Sequence, residues 1–376
     1  MTGTIVNPEN LPYSNCTQLF IRGITVSDRT ATVRTTNPRD NVPDTSGGTT
    51  TYLQRLSRMR QYGARSKLVA SVHCDYNQQE FDRLIATKVT ASDGPSFLSD
   101  FRSRLVRNLL AFVQERGLDG VELDCDHMLT SATRSSFVNL QLQLSTALKS
   151  SVTSTGQCPL QFSLRIPGWR LDLEEVYDVK AVNTQVDTIS LEASRYNSVE
   201  DARVKPHSPL YTDYKKGQLA IDETVRAWVS VEKLEATKII VILPAHATTF
   251  DLRLEASHDV GAPAEGPGPA GRATNEPGKI AYWEVCQFLD QGTYMREVSY
   301  DQIAAYAYGG RRWISYETPA TVVFKLNYAV KYGLGGIGIN SLNLADSAGV
   351  CRLGPFPLIS SLAKQCKEKK QIKSDT

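Results

Sequence analysis

The feature that most limits what this chain can fold into is a repeated alternation of short β-rich apolar runs with amphipathic helical stretches. Gln18 to Val26, Lys67 to Val72, Gly120 to Asp126, Leu160 to Ile166, Thr188 to Leu191, Ile239 to Leu243 and Gly335 to Asn340 each read as a strand. Between them lies helical spacing. Leu53, Leu56 and Met59 mark a helix over 52–62, and Phe97, Phe101, Leu105, Leu109, Leu110 and Phe112 mark a stronger one over 97–116, closed by Gly117. A further helix is expected over 134–150. Strict alternation of this kind implies a parallel sheet with crossover helices. Seven countable strands favour a barrel over an open sheet.

The chain has 376 residues, and a TIM-type barrel takes roughly 250 before insertions. The stretch from 246 to 316 breaks the rhythm: it is rich in Gly and Pro (GAPAEGPGPAGR) and then mixes helix with short strands. We therefore expect an α/β fold, a TIM (β/α)8 barrel with a small α+β insertion subdomain before the last strand. The barrel spans 1–245, the subdomain 246–320, the last strand and helix 321–362, and a basic solvated tail 363–376. A turn-rich loop is expected over 28–50.

Composition excludes several classes. A formal charge of +2, with 41% apolar and 22% charged residues, fits an ordinary globular protein and gives no nucleic-acid or membrane surface. No run reaches the ~20 apolar residues of a membrane helix. The opening MTGTIVNPEN lacks the basic and apolar regions of a signal peptide. Seven cysteines point the other way on compartment, since an odd count leaves a free thiol or an external partner. Asn15-Cys16-Thr17 forms a glycosylation sequon.

The most informative stretch is LDGVELDCDH, residues 118 to 127. Strand alternation puts Glu122, Asp124 and Asp126 on one face and Val121, Leu123 and Cys125 on the other. In a barrel one strand face is the lumen, and the C-terminal strand ends carry the active site. Like charges in file raise one another's pKa. Such an array serves proton handling or a metal, or it stands as lumen acids satisfied by polar neighbours.

At this point the chain resembles the family 18 glycoside hydrolases, the chitinases and chitinase-like proteins. That family carries Asp-Gly-x-Asp-x-Asp-x-Glu on its fourth barrel strand, where this chain reads Asp119-Gly120-Val121-Glu122-Leu123-Asp124-Cys125-Asp126. The resemblance continues through 207–211 (HSPLY), 261–286 and 313–351, and covers about residues 4 to 362. It implies that Cys286 and Cys351 form a disulfide between the subdomain and the end of the last strand. It also implies that the family's first strand, with the usual partner of Cys16, is absent from this sequence. Cys74 and Cys125 read as buried thiols, and Cys158 and Cys366 have no evident partners.

The resemblance assigns roles and shows where this chain departs from them. Family members use the substrate's own N-acetyl oxygen as nucleophile, unlike the usual two-carboxylate scheme. The motif's final Glu is the acid, and the Asp before it orients the acetamido group. Asp124 keeps the orienting position, but the acid position holds Asp126, one methylene shorter. A general acid must reach its target within ~2.6–3.2 Å. A displacement of ~1 Å can cost ~100-fold. The sixth-strand Met-x-Tyr-Asp becomes Glu192-Ala193-Ser194-Arg195, the last-strand Trp becomes Asn340, and Ser-x-Gly-Gly becomes Ser71-Val72-His73-Cys74.

Four altered parts of one constellation imply a chitinase-like protein that binds chitin, chito-oligosaccharide or a related glycan without normal hydrolysis. Two alternatives are a weakly active hydrolase using Asp126 and a protein-interaction scaffold with no glycan site. Against an enzymatic site stands the alternative that Glu122, Asp124, Asp126, Glu192 and Arg195 form an ion-pair network across the lumen, structural or recognising another polar ligand, in which Arg195 would hold the carboxylates ionised. Trp169, Tyr196 and Tyr211 sit in loops that could reach the cleft. Trp228, Trp283, Trp313 and Tyr316 read as packing residues. His73, Cys74 and His127 have no metal-site spacing, and no cofactor is expected. The implied protein is secreted and monomeric, with a glycan and a protein receptor as its partners.

Overall fold

The computed structural model describes residues 6–27, 30–37, 40, 51–63, 65–74, 81, 95–151, 159–212 and 219–374. Most of the loop expected over 28–50, and Cys158, lie outside them. The main sheet contains β1 (Gln18–Val26), β2 (Val33–Thr35), β3 (Lys67–His73), β4 (Gly120–Asp124), β5 (Gln161–Pro167), β6 (Thr188–Glu192), β7 (Ile239–Pro244) and a last strand, Gly336–Asn340. The helices between them are α1 (Tyr52–Arg58), α2 (Pro95–Glu115), α3 (Arg134–Lys149), α4 (Val179–Gln185) and α5 (Ile221–Arg226). All seven strands read from the sequence are present. Each pairs in parallel with its neighbour, and only β2 runs antiparallel, as a hairpin partner of β1.

The second sheet falls between β7 and the last barrel strand. It comprises β8 (His246–Leu252), β9 (Ala264–Pro267), β10 (Lys279–Ala281), β11 (Met295–Ser299), β12 (Ala304–Gly309) and β13 (Arg312–Tyr316), all antiparallel, with α6 (Tyr282–Asp290) after β10. The barrel then resumes with α7 (Pro319–Lys331), β14 (Gly336–Asn340) and α8 (Pro357–Ser374). In the barrel sheet the order is β14-β7-β6-β5-β4-β3-β1-β2. This is the expected TIM-type α/β barrel with a second sheet inserted before its last strand.

Alternation along the strands divides two environments. Val121, Leu123, Phe162, Leu164, Ile166, Ile189 and Leu191 are buried and belong to one apolar cluster with the helix residues Phe101, Leu109, Phe112, Leu140, Leu144 and Leu148. The alternate positions turn inward and are polar. Gly117 ends α2 with φ +62°, a left-handed position that favours glycine, and the Leu118 N–H bonds the Val113 carbonyl at 2.9 Å. Trp228 and Trp313 are fully buried and Tyr316 nearly so, as packing residues; Trp283 is half-buried.

Three expectations are corrected. β4 ends at Asp124, and Asp126–Met128 form a 3₁₀ turn, so Asp126 leaves the strand's alternation. Cys74 and Cys125 are joined as a disulfide, not left as thiols. They follow β3 and β4 just past the register pair His73–Asp124, which sets them opposite each other with Cα atoms 4.9 Å apart. The backbone from 363 to 374 continues α8, because its Lys, Gln and Glu residues are good helix formers. The expected Cys286–Cys351 disulfide is present, with Cα atoms 5.2 Å apart. Among the described residues Cys16 has no disulfide partner, and burial pushes its thiol up to about 11.

Candidate functional site in the barrel lumen

The two leading motif residues, Asp119 and Gly120, shape the strand. The Asp119 carboxylate accepts the Leu68 N–H at 2.7 Å and pairs with Arg60, which ties the start of β3 to the start of β4. A Cβ on Gly120 would collide with the Gln161 backbone carbonyl, so only glycine allows this approach of β4 to β5.

Above this level the lumen is built in layers. At the base, the Gln161 side-chain amide donates to Gln18, Ser163 and Thr188 at 3.2, 3.1 and 2.9 Å. In the middle, Glu122 accepts Ser71 Oγ–H and Ser190 Oγ–H, each at 2.6 Å. At the top, Asp124, His73, Arg165 and Glu192 meet from four consecutive strands. Arg22 of β1 donates to Asp124 Oδ2 at 2.9 Å, and His73 Nδ1 lies 3.5 Å from the same oxygen. Arg165 Nε donates to Glu192 Oε2 at 2.8 Å and stands 3.9 Å from Asp124; the Arg165 Nη2 and Ser194 hydroxyl also bond Glu192.

These contacts set opposite ionisation tendencies. Burial pushes the Glu122 carboxyl up, more than Arg165 and the two serines pull it down. For Asp124, burial is the largest influence, but His73, Arg165 and Arg22 together outweigh it and hold the carboxyl below its usual range. Glu192 likewise ends low: Arg165 and Ser194 overcome its burial.

Asp126 forms a separate cluster beside this file. Its Oδ1 accepts the Tyr177 hydroxyl at 2.9 Å and lies 2.7 Å from Arg170 Nε, while Oδ2 has no partner among the described residues. Burial raises its carboxyl despite Arg170 and Tyr177.

The remaining expected residues divide. Asn340 ends β14 half-buried, in register with Pro244. Trp169 is 45% exposed, with the Arg170 guanidinium 5.1 Å from its ring centre. Tyr196 is buried, its hydroxyl 3.2 Å from Thr224 Oγ1, so it is a packing residue and not a cleft ring. Tyr211 is half-buried edge-on to Tyr328. Arg195 is exposed beyond the end of β6, and the cation between the carboxylates is Arg165 instead. His73 and His127 stack at 4.9 Å, and the disulfide removes Cys74 as a free thiol.

Sequence reasoning missed Arg22, Arg165, Arg170 and Tyr177. For Arg165 a signal existed: an arginine at an inward position of a barrel strand, one strand from the motif, requires a carboxylate partner.

In TIM-barrel enzymes the active site lies at the C-terminal strand ends, the end of the barrel at which these titratable groups gather. The sequence profile described as Glycosyl hydrolases family 18 matches residues 3–344, and the chain belongs to that family. Among curated proteins it is 27% identical over 321 residues to chitotriosidase-1 of Mus musculus, covering 83% of this chain and 66% of that protein. It is 29% identical over 272 residues to the oviduct-specific glycoprotein of Ovis aries, covering 69% of this chain and 49% of that protein. The chain thus spans less than two thirds of either relative. Among solved structures, human YKL-39, described as a pseudo-chitinase with retained chitooligosaccharide binding, superposes with a TM-score of 0.82 at 20% identity, covering 97% of this chain and 95% of that one.

Proposed function

We propose that this chain is a chitinase-like protein that binds chito-oligosaccharide or a related glycan at the C-terminal mouth of the barrel without normal hydrolysis. The observation that carries the reading is the state of Asp126. This carboxyl, in the acid position by resemblance, is 3% exposed, committed to the Tyr177 hydroxyl and set against Arg170. An acid must lie within hydrogen-bond reach of the oxygen it protonates.

Asp124 adds to the case, since its Oδ2 already serves Arg22 and His73 and lies near Arg165. Groups that act as a unit lose activity together. Two disulfides among the described residues support an oxidising, extracellular setting. The binding described for human YKL-39 supports glycan binding on this scaffold.

One observation favours a second reading, weak hydrolysis. Burial raises the Asp126 carboxyl, and its Oδ2 has no partner among the described residues, a direction and an opening that favour a proton donor. Chitotetraose incubated with the wild type and with Asp126→Asn separates the two. The pseudoenzyme reading expects no turnover by either protein. Turnover by the wild type that Asp126→Asn abolishes would replace it with the hydrolase.

A further inference from the structure

Asn15-Cys16-Thr17, which takes no part in the lumen, is the only Asn-x-Ser/Thr triplet in the chain. Such a triplet, with a residue other than proline in the middle, is the acceptor of N-linked glycans in secreted proteins. Triplets also arise by chance, so the surroundings of Asn15 carry the argument.

Tyr13–Asn15 form a 3₁₀ turn just before β1, and none of the three residues is buried. The backbone of the turn is held in place. The Asn15 N–H bonds the Pro12 carbonyl at 3.0 Å, and the Ser66 hydroxyl donates to the Tyr13 and Cys16 carbonyls at 3.0 and 2.7 Å. The acceptor side chains are not. No described residue bonds the Asn15 side-chain amide, and it is not among the buried polar atoms left without a partner, so it opens to solvent. Thr17 is exposed, and its hydroxyl is likewise unengaged among the described residues. Cys16 between them has no disulfide partner among those residues, so no bridge ties down the triplet.

Its place in the fold keeps it clear of the lumen site. The Thr17 carbonyl accepts the Lys67 N–H at 2.9 Å, where β1 and β3 begin. Further along β1, Arg22 reaches Asp124 at the C-terminal end of β4. Gln18 to Arg22 is about 13 Å of strand. A glycan on Asn15 therefore leaves from the N-terminal end of the barrel.

We infer that Asn15 is an N-glycosylation site, with its sugar at the end of the barrel opposite the candidate site. The inference goes beyond the glycan-binding reading and rests only on the extracellular setting. The co-substrate is an oligosaccharide joined through N-acetylglucosamine to a polyprenyl pyrophosphate. Asn15 Nδ2 bonds to the anomeric carbon, and the bond from that carbon to the pyrophosphate oxygen breaks. The lipid pyrophosphate leaves with the electron pair, Nδ2 gives up one proton, and no oxidant or reductant enters.

The test is secretion of the full chain, behind a cleavable signal sequence, from cultured animal cells, followed by treatment with peptide N-glycosidase. Most of the secreted protein is expected to shift to a smaller apparent mass, with aspartate left at position 15 in the peptide mass spectrum. Asn15→Gln and Thr17→Ala should each abolish the shift, whereas Thr17→Ser, which keeps the hydroxyl, should retain it. A thermal melt of Asn15→Gln matching the deglycosylated wild type shows that the loss is not one of folding. Secreted protein with no shift, or a shift that persists in Asn15→Gln, overturns the inference and leaves the extracellular setting standing. An unglycosylated chain retained in the cell without its two disulfides overturns both together.

Discussion

Arg165 enters the lumen from β5, beside the carboxylate motif of β4, and binds Glu192 of β6 while lying 3.9 Å from Asp124. Its side chain is 6% exposed, and despite burial its neighbours Glu192, Glu122 and Asp124 hold it firmly charged. Removing one partner of such a pair leaves uncompensated buried charge, at a cost of about 3–5 kcal/mol. Arg165→Met is therefore expected to lower the unfolding free energy by that amount in a denaturant titration. The double variant Arg165→Met/Glu192→Met should recover most of the loss. Asp126 makes the complementary point. On the proposed reading Asp126→Glu alone would supply the residue that the resemblance puts at the acid position while leaving Glu192, Ser194 and Asn340 unchanged, so it should give no chitotetraose turnover above an Asp126→Asn background.

At the scale of elements, two junctions fix how strands and helices meet. Gly120 brings β4 against the Gln161 carbonyl of β5 with no room for a methyl group. Gly120→Ala is expected to cost about 1–3 kcal/mol, as overpacking does, and to lower the melting temperature in calorimetry. The start of α7 carries the other junction. Thr318 Oγ1 accepts the Thr321 N–H at 3.1 Å, Thr321 Oγ1 accepts the Thr318 N–H at 2.8 Å, and Pro319 occupies the first turn, where its missing N–H costs nothing. Thr318→Ala should cost about 1 kcal/mol, the usual loss of a helix cap. Its effect on glycan affinity should be nil, because α7 lies outside the lumen.

For the whole molecule, the joint between barrel and second sheet has a pH signature. His207 is fully buried: its Nδ1 is 2.8 Å from Ser315 Oγ of β13, and its Nε2 is 3.2 Å from the His246 carbonyl at the start of β8. Burial holds the His207 imidazole well below its usual range, and burial with Lys279 and Arg195 nearby brings His246 to about 3. An unfolded histidine titrates near ~6.5, so below that pH the unfolded chain binds protons that the folded chain refuses. The stabilisation is complete above pH ~6.5 and falls as pH drops toward 3, by at most ~1.4 kcal/mol per pH unit for each histidine. Denaturation at pH 7 and pH 5 should show this loss, and His246→Gln should reduce it. The Cys286–Cys351 bridge closes 65 residues of chain between the second sheet and the end of the barrel. By the loop-entropy relation, the Cys286→Ser/Cys351→Ser variant should lose about 4 kcal/mol.

Periodicity and motif spacing suffice to place the strands, the break at the second sheet, the inward turn of Glu122 and Asp124, and the family that the chain belongs to. These are legible because alternation and turn chemistry act over a few neighbouring residues. Cross-strand partnerships are a different matter. Arg22 meets Asp124 across 102 residues and Tyr177 meets Asp126 across 51, and no local pattern says which long side chain will reach which carboxylate. The Cys74–Cys125 bridge depends on the register of β3 with β4, and the burial of Asp126 on a strand ending two residues early. The sequence by itself therefore determined a barrel of this family, with Asp126 standing, by resemblance, where the family motif carries Glu. Only the tertiary structure decided which partners those lumen carboxylates take: Arg165 between Glu192 and Asp124, the serines on Glu122, and Tyr177 with Arg170 on Asp126. Pairing of charges is settled by which strands become neighbours, and that is a property of the assembled fold.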